Sequence, residues 1–352
     1  MTQTLLGALH DSGMTTTLVD RRFSTTVEQV GQFSLRKILS AMWMPVRLAA
    51  RTVRFRPVTV IFFATNRTFS FLVDCALSGV LRLLRRPTIM YIHTVGYSAL
   101  ANRGRLWAWL VRWNLNAADR FVLLGPALAR DVVEFAPRVP ITYIPNTVRD
   151  PSPVSAVIQP RNSILFLSNL IPEKGADTFL DAAVELAPRN PGIEFHVAGA
   201  IADREFFDAL QARVSSTGLA DRIRFLGPLS GDAKWNALRG AIALAFPSTY
   251  PFEAQPLTII EALSVGTPTV AFNVGGVGDI VRDCENGFLV SPGAAAELAA
   301  RLQALIGDPK LQARLSARAR SDFESRFSLS HYQNKWTDIV SKPTLPRPSQ
   351  TR

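Results

Sequence analysis

Cysteine is nearly absent: Cys75 and Cys284 are the only two in 352 residues, so no disulfide framework holds this chain and a reducing cytoplasm is the expected compartment. Long apolar runs are missing as well. The longest, residues 58–64 and 69–84, are respectively too short and interrupted by Asp74 and Arg82, and neither supplies the ~20 apolar residues of a spanning helix. The N-terminus, MTQTLLGALHDSG, has no basic start leading into an apolar stretch, so secretion is not expected. There is no Asp-x-Asp pair and no Cys and His spacing suited to zinc, and the looser pairs Asp203-x-Glu205 and Asp283-x-Glu285 read as solvated surface charge. No metal is expected.

What the chain does have is apolar and basic character. With 352 residues, 47% hydrophobic and 19% charged, it is long enough for two domains, each with its own core. Lys and Arg outnumber Asp and Glu by 39 to 28, a net charge of +11. The surplus is confined to the first half: residues 1–150 hold 19 basic and 8 acidic side chains, and residues 151–352 hold 20 of each. An anionic membrane surface, a phosphorylated substrate or nucleic acid could each use such a field. No nucleic-acid module accompanies the charge, so nucleic acid is not an expected partner. Arg47, Arg51, Arg54 and Arg56 are interleaved with Trp43, Met44, Val46, Leu48, Val53 and Phe55, a basic amphipathic helix able to lie on anionic lipid. Arg82, Arg85 and Arg86 form a second cluster. The expected location is cytoplasmic, peripheral at the inner face of the membrane.

Short β-branched or apolar runs alternate with longer amphipathic stretches, the pattern of βαβ units and parallel sheets. In the first half, strands are predicted over residues 15–20, 58–64, 88–93, 120–124 and 141–146, with helices over 4–9, 35–53, 68–84, 105–117 and 126–135. Residues 147–162 carry Pro151, Pro153 and Pro160 without periodicity and read as the linker. Strands follow at 164–168, 193–199, 223–227, 242–246, 269–272 and 287–290, with helices between them and three more from about residue 294 to 340. The fold class is α/β, two Rossmann-like doubly wound domains: 1–150, a linker at 151–162, 163–328, a final helix at 329–341 and a disordered tail at 342–352. Ligands of such sheets bind at the carboxyl ends of the strands, here in the cleft between domains. The opening strand and glycine-rich turn of the first domain are missing, from a truncated chain or a start codon placed late.

The most informative stretch runs Phe246-Pro-Ser-Thr-Tyr-Pro-Phe-Glu253-Ala-Gln255-Pro256-Leu257-Thr-Ile-Ile-Glu261-Ala-Leu-Ser-Val-Gly266-Thr-Pro268. Pro256 suits the first turn of a helix, where its missing N–H is not needed, and Gly266 suits the C-terminal cap. The free N–H groups and dipole of that helix would form an anion site for a diphosphate. Glu253 and Glu261 would repel a phosphate, so each needs another partner, and sugar hydroxyls can serve. Lys174, after a short loop from the strand at 164–168, would neutralise charge on a departing diphosphate. His93 stands at the carboxyl end of a predicted strand, while His196 reads as a packing position.

This stretch resembles the Glu-x7-Glu motif of family 4 retaining glycosyltransferases with the GT-B fold. The resemblance continues in Leu167-Ser-Asn169-Leu-Ile-Pro-Glu-Lys174-Gly175, in Phe225-Leu-Gly227 and in Gly275-Gly276-Val-Gly-Asp279 through Val290, covering most of residues 140–330 in the family's order. It implies a nucleotide-diphosphate sugar as donor, a glycan or lipid-linked acceptor held by the basic first domain, transfer with retention, and a role in cell-surface polysaccharide or glycolipid synthesis. It places His93, Lys174 and Glu253 at the reacting centre, and Asn169, Gly175, Gln255, Pro256, Leu257 and Glu261 around the donor, with no metal and no cofactor beyond the donor. His93 looks like the family's cleft histidine, and Ile144-Pro-Asn146-Thr147 resembles an architectural Pro-Asn-Gly segment. The final helix would cross back to the first domain, and the cleft would close by a hinge in the linker. Relatives carry Gly-Arg-Leu where this chain has Ser168-Asn169-Leu170, so a second cation on the diphosphate is missing. A nucleotide-sugar epimerase of the same fold and an idle nucleotide-sugar-binding protein are the alternatives.

Overall fold

The computed structural model describes residues 2–20, 35–151 and 161–342. The chain divides into one unit of Met1–Ile144 with Gln333–Arg352 and a second of Pro145–Tyr332. Residues 152–160 of the predicted linker and 343–352 of the predicted tail lie outside the described residues.

The first unit contains α1 (Thr2–Asp11), α2 (Leu35–Phe55), β1 (Val60–Ala64), α3 (Thr68–Leu83), β2 (Thr88–Ile92), α4 (Tyr97–Ala101), α5 (Arg105–Leu115), β3 (Arg120–Leu123), α6 (Arg130–Val133) and β4 (Ile141–Tyr143). Its four strands are parallel in the order β1-β2-β3-β4, with Val60 opposite Thr88 and Ile89 opposite Arg120. Each strand follows the last in one direction, so right-handed crossovers put α3 and α5 on the same face of the sheet. There α2 packs beside α3, and α3 beside α5. Ser78 Oγ donates to Asn114 Oδ1 at 2.6 Å between the last two. The final helix, Leu329–Ser341, joins this unit from Gln333 onward. It lays Trp336 on Tyr91 with ring centroids 4.9 Å apart and holds α1 through the Ser12 and Thr337 hydroxyls at 2.9 Å. Covered on both sides, β2 is buried along its length, which explains its unbroken apolar sequence.

Three expectations change here. Residues 15–20 form no strand. A cavity of about 1140 Å³, lined by Leu5, Thr17, Leu48, Thr52 and Ile61 among others, lies along β1, and strand propensity without a ladder partner is not enough to make a strand. The helix expected at 126–135 is a 3₁₀ turn at Pro126–Leu128 followed by the short α6, the tightening common at helix starts. Met44 and Leu48, read with the lipid-facing residues of α2, are buried in the unit instead, whereas Trp43, Val46, Val53 and Phe55 are exposed.

The second unit contains β5 (Ser163–Leu167), α7 (Ala176–Leu186), β6 (Glu194–Ala198), α8 (Arg204–Ser216), β7 (Ile223–Gly227), α9 (Gly231–Gly240), β8 (Ala241–Phe246), α10 (Leu257–Ser264), β9 (Thr269–Phe272), β10 (Gly287–Val290), α11 (Ala295–Gly307) and α12 (Pro309–Asp322), ahead of the final helix, α13. Its six strands are parallel in the order β10-β9-β8-β5-β6-β7. Successive residues of β5 feed opposite faces, as the strand pleat requires. Ile164 and Phe166 join one core with Phe179, Phe195 and Leu298, and Leu165 and Leu167 join the other with Ile259, Leu263 and Phe323. From β5 the chain winds outward through β6 and β7, then α9 returns it to β8 on the other side of β5. The winding direction therefore reverses between β5 and β8.

Candidate functional site

That reversal marks the candidate site. In an open parallel sheet the loops after the two strands flanking a switch point diverge to opposite faces and leave a crevice between them. Here they are the loop after β5, carrying Asn169, Lys174 and Gly175, and the loop after β8, carrying Glu253, Gln255 and Pro256. The two loops are sewn together at their bases. Thr249 N donates to Glu173 O at 2.9 Å, and Ser248 Oγ to the same oxygen at 3.3 Å. Gly175 permits the approach: its φ is +77°, and a Cβ there would lie 2.1 Å from Pro247 O.

Lys174 Nζ forms an ion pair with Glu253 Oε1, and both side chains are largely buried. Ser248 Oγ donates to the same Oε1 at 2.9 Å, and the ring of Tyr250 lies under the ammonium, 4.3 Å from Nζ to the centroid. The backbone of Glu253 is equally fixed. Gly276 N donates to its carbonyl at 3.0 Å, and Gly275, at φ +51°, leaves no room for a side chain: a Cβ would stand 1.8 Å from that oxygen. Sequence reasoning placed Lys174 on a diphosphate and Glu253 on a sugar; in the structure each is the other's partner.

Helix α10 starts at Leu257, with Pro256 as its cap residue one position before the predicted place. Its first N–H groups have no acceptor within the helix and point out of its N-terminal end. Ile259, Ile260 and Leu263 bury one side, while Glu261 sits on the other, half-buried. The helix ends as the glycine foretells: Gly266, at φ +67°, donates to Leu263 O at 3.0 Å and Thr267 N to Ala262 O at 2.8 Å, the paired bonds of a Schellman motif. Glu261 Oε1 accepts from Lys234 Nζ at 2.6 Å, and that ammonium also lies over the Trp235 ring at 4.9 Å. Each glutamate of the Glu-x7-Glu pair is thus held by one lysine, and each lysine by one aromatic face.

Lys234 was not visible in the sequence, since it comes from α9, 27 positions before its partner, and no spacing rule links the two. Ser248 and Tyr250 were within the quoted motif and could have been nominated from their places beside Glu253. Gln255 is buried, and its Oε1 accepts from Asn146 N at 2.5 Å while its carbonyl accepts from Asn146 Nδ2 at 3.2 Å. Its side chain thus ties the motif to the start of the unit. Thr147 Oγ1 adds a bond to Phe327 O at 2.7 Å. Asn169 and Leu257 are exposed at the two loop mouths. His196, expected to be a packing residue, is half-buried and pairs its Nε2 with Glu194 Oε2 at 2.8 Å. Asp203 caps α8 through Phe206 N at 3.0 Å, and Asp283, exposed, accepts from Leu289 N at 3.0 Å. Among the described residues no three His, Cys, Asp or Glu side chains gather as a metal site.

His93 belongs to the first unit and the other eight candidates to the second. It follows β2, stacked on Phe63 with centroids 5.6 Å apart and against Tyr91 at 3.9 Å. Burial holds its pKa down to about 3, so the imidazole is neutral at ordinary pH. Its Nε2 and the hydroxyl of Thr94 are buried without a hydrogen-bond partner. The next residues are anchored by Asp131, whose carboxylate accepts from Gly96 N, Tyr97 N and Ser98 N at 2.7, 2.8 and 2.8 Å. A neutral imidazole there can exchange a hydrogen bond with a hydroxyl, but it supplies no charge.

Known proteins match both halves. The family model described as glycosyl transferases group 1 matches residues 150–322, and that described as Glycosyltransferase Family 4 matches residues 1–150. A D-inositol 3-phosphate glycosyltransferase of Rhodococcus opacus is 35% identical over 208 residues, 57% of this chain and 45% of that protein. An alpha-D-kanosaminyltransferase of Streptomyces kanamyceticus is 28% identical over 170 residues, 48% of this chain and 43% of its own. The chain thus spans under half the length of these curated relatives. Among solved structures, Alr3699/HepE of Anabaena in complex with UDP superposes with a TM-score of 0.70 at 19% identity, covering 85% of this chain and 82% of that one. A glycosyltransferase of Rickettsia africae superposes at 0.71 with 17% identity, covering 98% and 89%. The fold class is that of these two-sheet glycosyltransferases.

Proposed function

The chain belongs to the glycosyltransferases, group 1 in residues 150–322 and family 4 in residues 1–150, and from that premise we propose that it transfers a hexose from a nucleotide-diphosphate sugar, with retention, to a glycan or lipid-linked acceptor. The observation that carries the reading is the pair of lysine-held glutamates on either side of the start of α10, at the switch point of the second unit. The diphosphate lies at the first turn of α10 and takes the ammonium of Lys174, which releases Glu253 to accept hydrogen bonds from the donor sugar's hydroxyls. Glu261 keeps one oxygen on Lys234 and offers the other to the ribose hydroxyls. Asn169 adds a neutral hydrogen bond to the phosphates where relatives have an arginine, so Lys174 carries the leaving-group charge.

In the transfer, the bond from the anomeric carbon to the phosphate oxygen breaks while the acceptor oxygen bonds to the same face of that carbon. The acceptor's proton passes to the departing phosphate oxygen, which balances the step without a protein nucleophile. His93, neutral, is the first unit's own candidate for a hydrogen bond with a sugar hydroxyl. The basic first unit faces an anionic membrane that carries the acceptor, and the site belongs to polysaccharide or glycolipid synthesis. UDP is the first nucleotide to test, because Alr3699/HepE binds it.

Calorimetry with UDP, and thermal stabilisation by a panel of nucleotide sugars, tests the reading. Wild type should bind, and Glu261→Ala should bind at least tenfold more weakly, the size expected for losing a charged hydrogen bond. A chain stabilised by no nucleotide sugar would refute it. Turnover of a nucleotide sugar to its epimer without acceptor would favour the epimerase.

A further inference from the structure

Between Ser40 and Ala118 the chain has eleven arginines and a single carboxylate, Asp74. That carboxylate is fully buried and accepts from Thr65 N and Thr65 Oγ1 at 2.8 and 3.0 Å, so it contributes nothing to the surface. The segment supplies the helices α2, α3 and α5, which lie side by side on one face of the first sheet. Their outward faces therefore bear arginine and no opposing charge among the described residues.

Those faces are also apolar. On α2 the inward stripe is Ala41, Met44, Leu48 and Thr52, a recurrence of three, four and four. Met42, Trp43, Val46, Ala50 and Val53 recur on the opposite side, and the four larger ones are exposed at 68%, 61%, 54% and 58%. Arg47 and Arg54 flank this second stripe and are exposed too. Phe69, Leu72 and Leu83 continue it on α3, and Leu106 and Trp109 on α5. An ordinary solvated helix needs one apolar stripe for the core. A second one on the water side, rimmed by cations, is unfavourable until something covers it.

We propose that this outward face of α2, α3 and α5 seats the first unit on an anionic lipid surface, with Met42, Trp43, Val46 and Val53 entering the acyl boundary and the arginines contacting headgroup phosphates. The inference rests on the reading of the first unit as the membrane-facing half, and it specifies the face. Lipid is favoured over nucleic acid because the tip of the face is aliphatic as well as aromatic, and Leu and Val gain nothing from a polynucleotide groove. The charge is complementary to anionic headgroups, and the indole of Trp43 suits the interface.

The test is co-sedimentation of the full chain, without donor or acceptor, with phosphatidylcholine vesicles containing or lacking phosphatidylglycerol. Wild type should bind the anionic vesicles and lose binding as salt is raised. Arg47→Gln with Arg54→Gln should weaken that binding roughly 30-fold, from loss of two surface cations. Trp43→Ser with Val46→Ser should weaken it about tenfold through lost insertion. Neither pair touches the core, so both should melt like wild type. Failure of wild type to bind anionic vesicles, binding unchanged in the Trp43 and Val46 variant, or tighter binding to duplex RNA than to vesicles would overturn the proposal. Vesicle binding without UDP binding would refute the transferase reading alone, and the reverse would refute only the docking face.

Discussion

Lys174 and Glu253 form one contact that bears on stability and, in the proposed transfer, on chemistry. Removing either partner leaves a buried charge alone, a loss of about 3–5 kcal/mol. Lys174→Ala should therefore lower the melting temperature as well as turnover. Lys174→Met with Glu253→Gln removes both charges and should recover most of the stability, yet turnover should stay down by orders of magnitude because the diphosphate has lost its cation. Recovery of turnover in the double variant would reduce the pair to a structural clasp. His93 gives a second residue-level outcome. An imidazole in the unfolded chain titrates near 6.5, whereas burial against Phe63 and Tyr91 holds His93 down at about 3. Between those values the unfolded chain takes up a proton that the folded unit refuses. Its contribution is thus intact above pH 6.5 and is lost as pH falls toward 3, at up to about 1.4 kcal/mol per pH unit. Melting wild type and His93→Asn at pH 7 and 5 checks this: the variant should lose less on acidification. Lys174, Glu253 and Glu261 were legible in sequence because they belong to compact motifs. Lys234 and Asp131 were not, since their partners come from distant segments and only the fold brings them together.

At the scale of elements, glycines decide how closely the site loops approach. Gly175→Ala would place a Cβ 2.1 Å from Pro247 O at a left-handed φ, forcing apart the loops after β5 and β8. It should destabilise the second unit by on the order of 2 kcal/mol or more and weaken nucleotide binding with it. Gly192→Ala meets nothing within 4 Å and is the matched control: little change in melting or binding is expected. Equal effects of the two in thermal melts and calorimetry would show that the close approach is not what holds the loops. The strands of the second unit were readable almost to the residue, because buried parallel strands are short apolar runs bounded by turn residues. Residues 15–20 misled for a physical reason: TTTLVD has the composition of a strand, but a strand is a pairing, and the composition does not state whether a neighbour is in reach.

For the whole molecule, the charge asymmetry was plain in the sequence, but its meaning needed the fold. Arginines spread through residues 40–118 are brought near one another only by the packing of α2 beside α3 and α3 beside α5, and the two faces of α2 were sorted only by packing. The aromatic inventory is just as uneven. Five tryptophans, Trp43, Trp107, Trp109, Trp113 and Trp336, belong to the first unit, and Trp235 is the sixth, in the second. Trp235 is the indole on which Lys234 rests at 4.9 Å. A ribose that draws on Glu261 disturbs that ammonium, and the emission of a ring responds to a cation on its face. Titration with UDP should thus shift fluorescence in wild type and leave it flat in Trp235→Phe while the heat of binding persists. The chain carries its own optical gauge of occupancy in one half, with Trp43 and Trp109, exposed on the first unit, placed to report contact with lipid in the other.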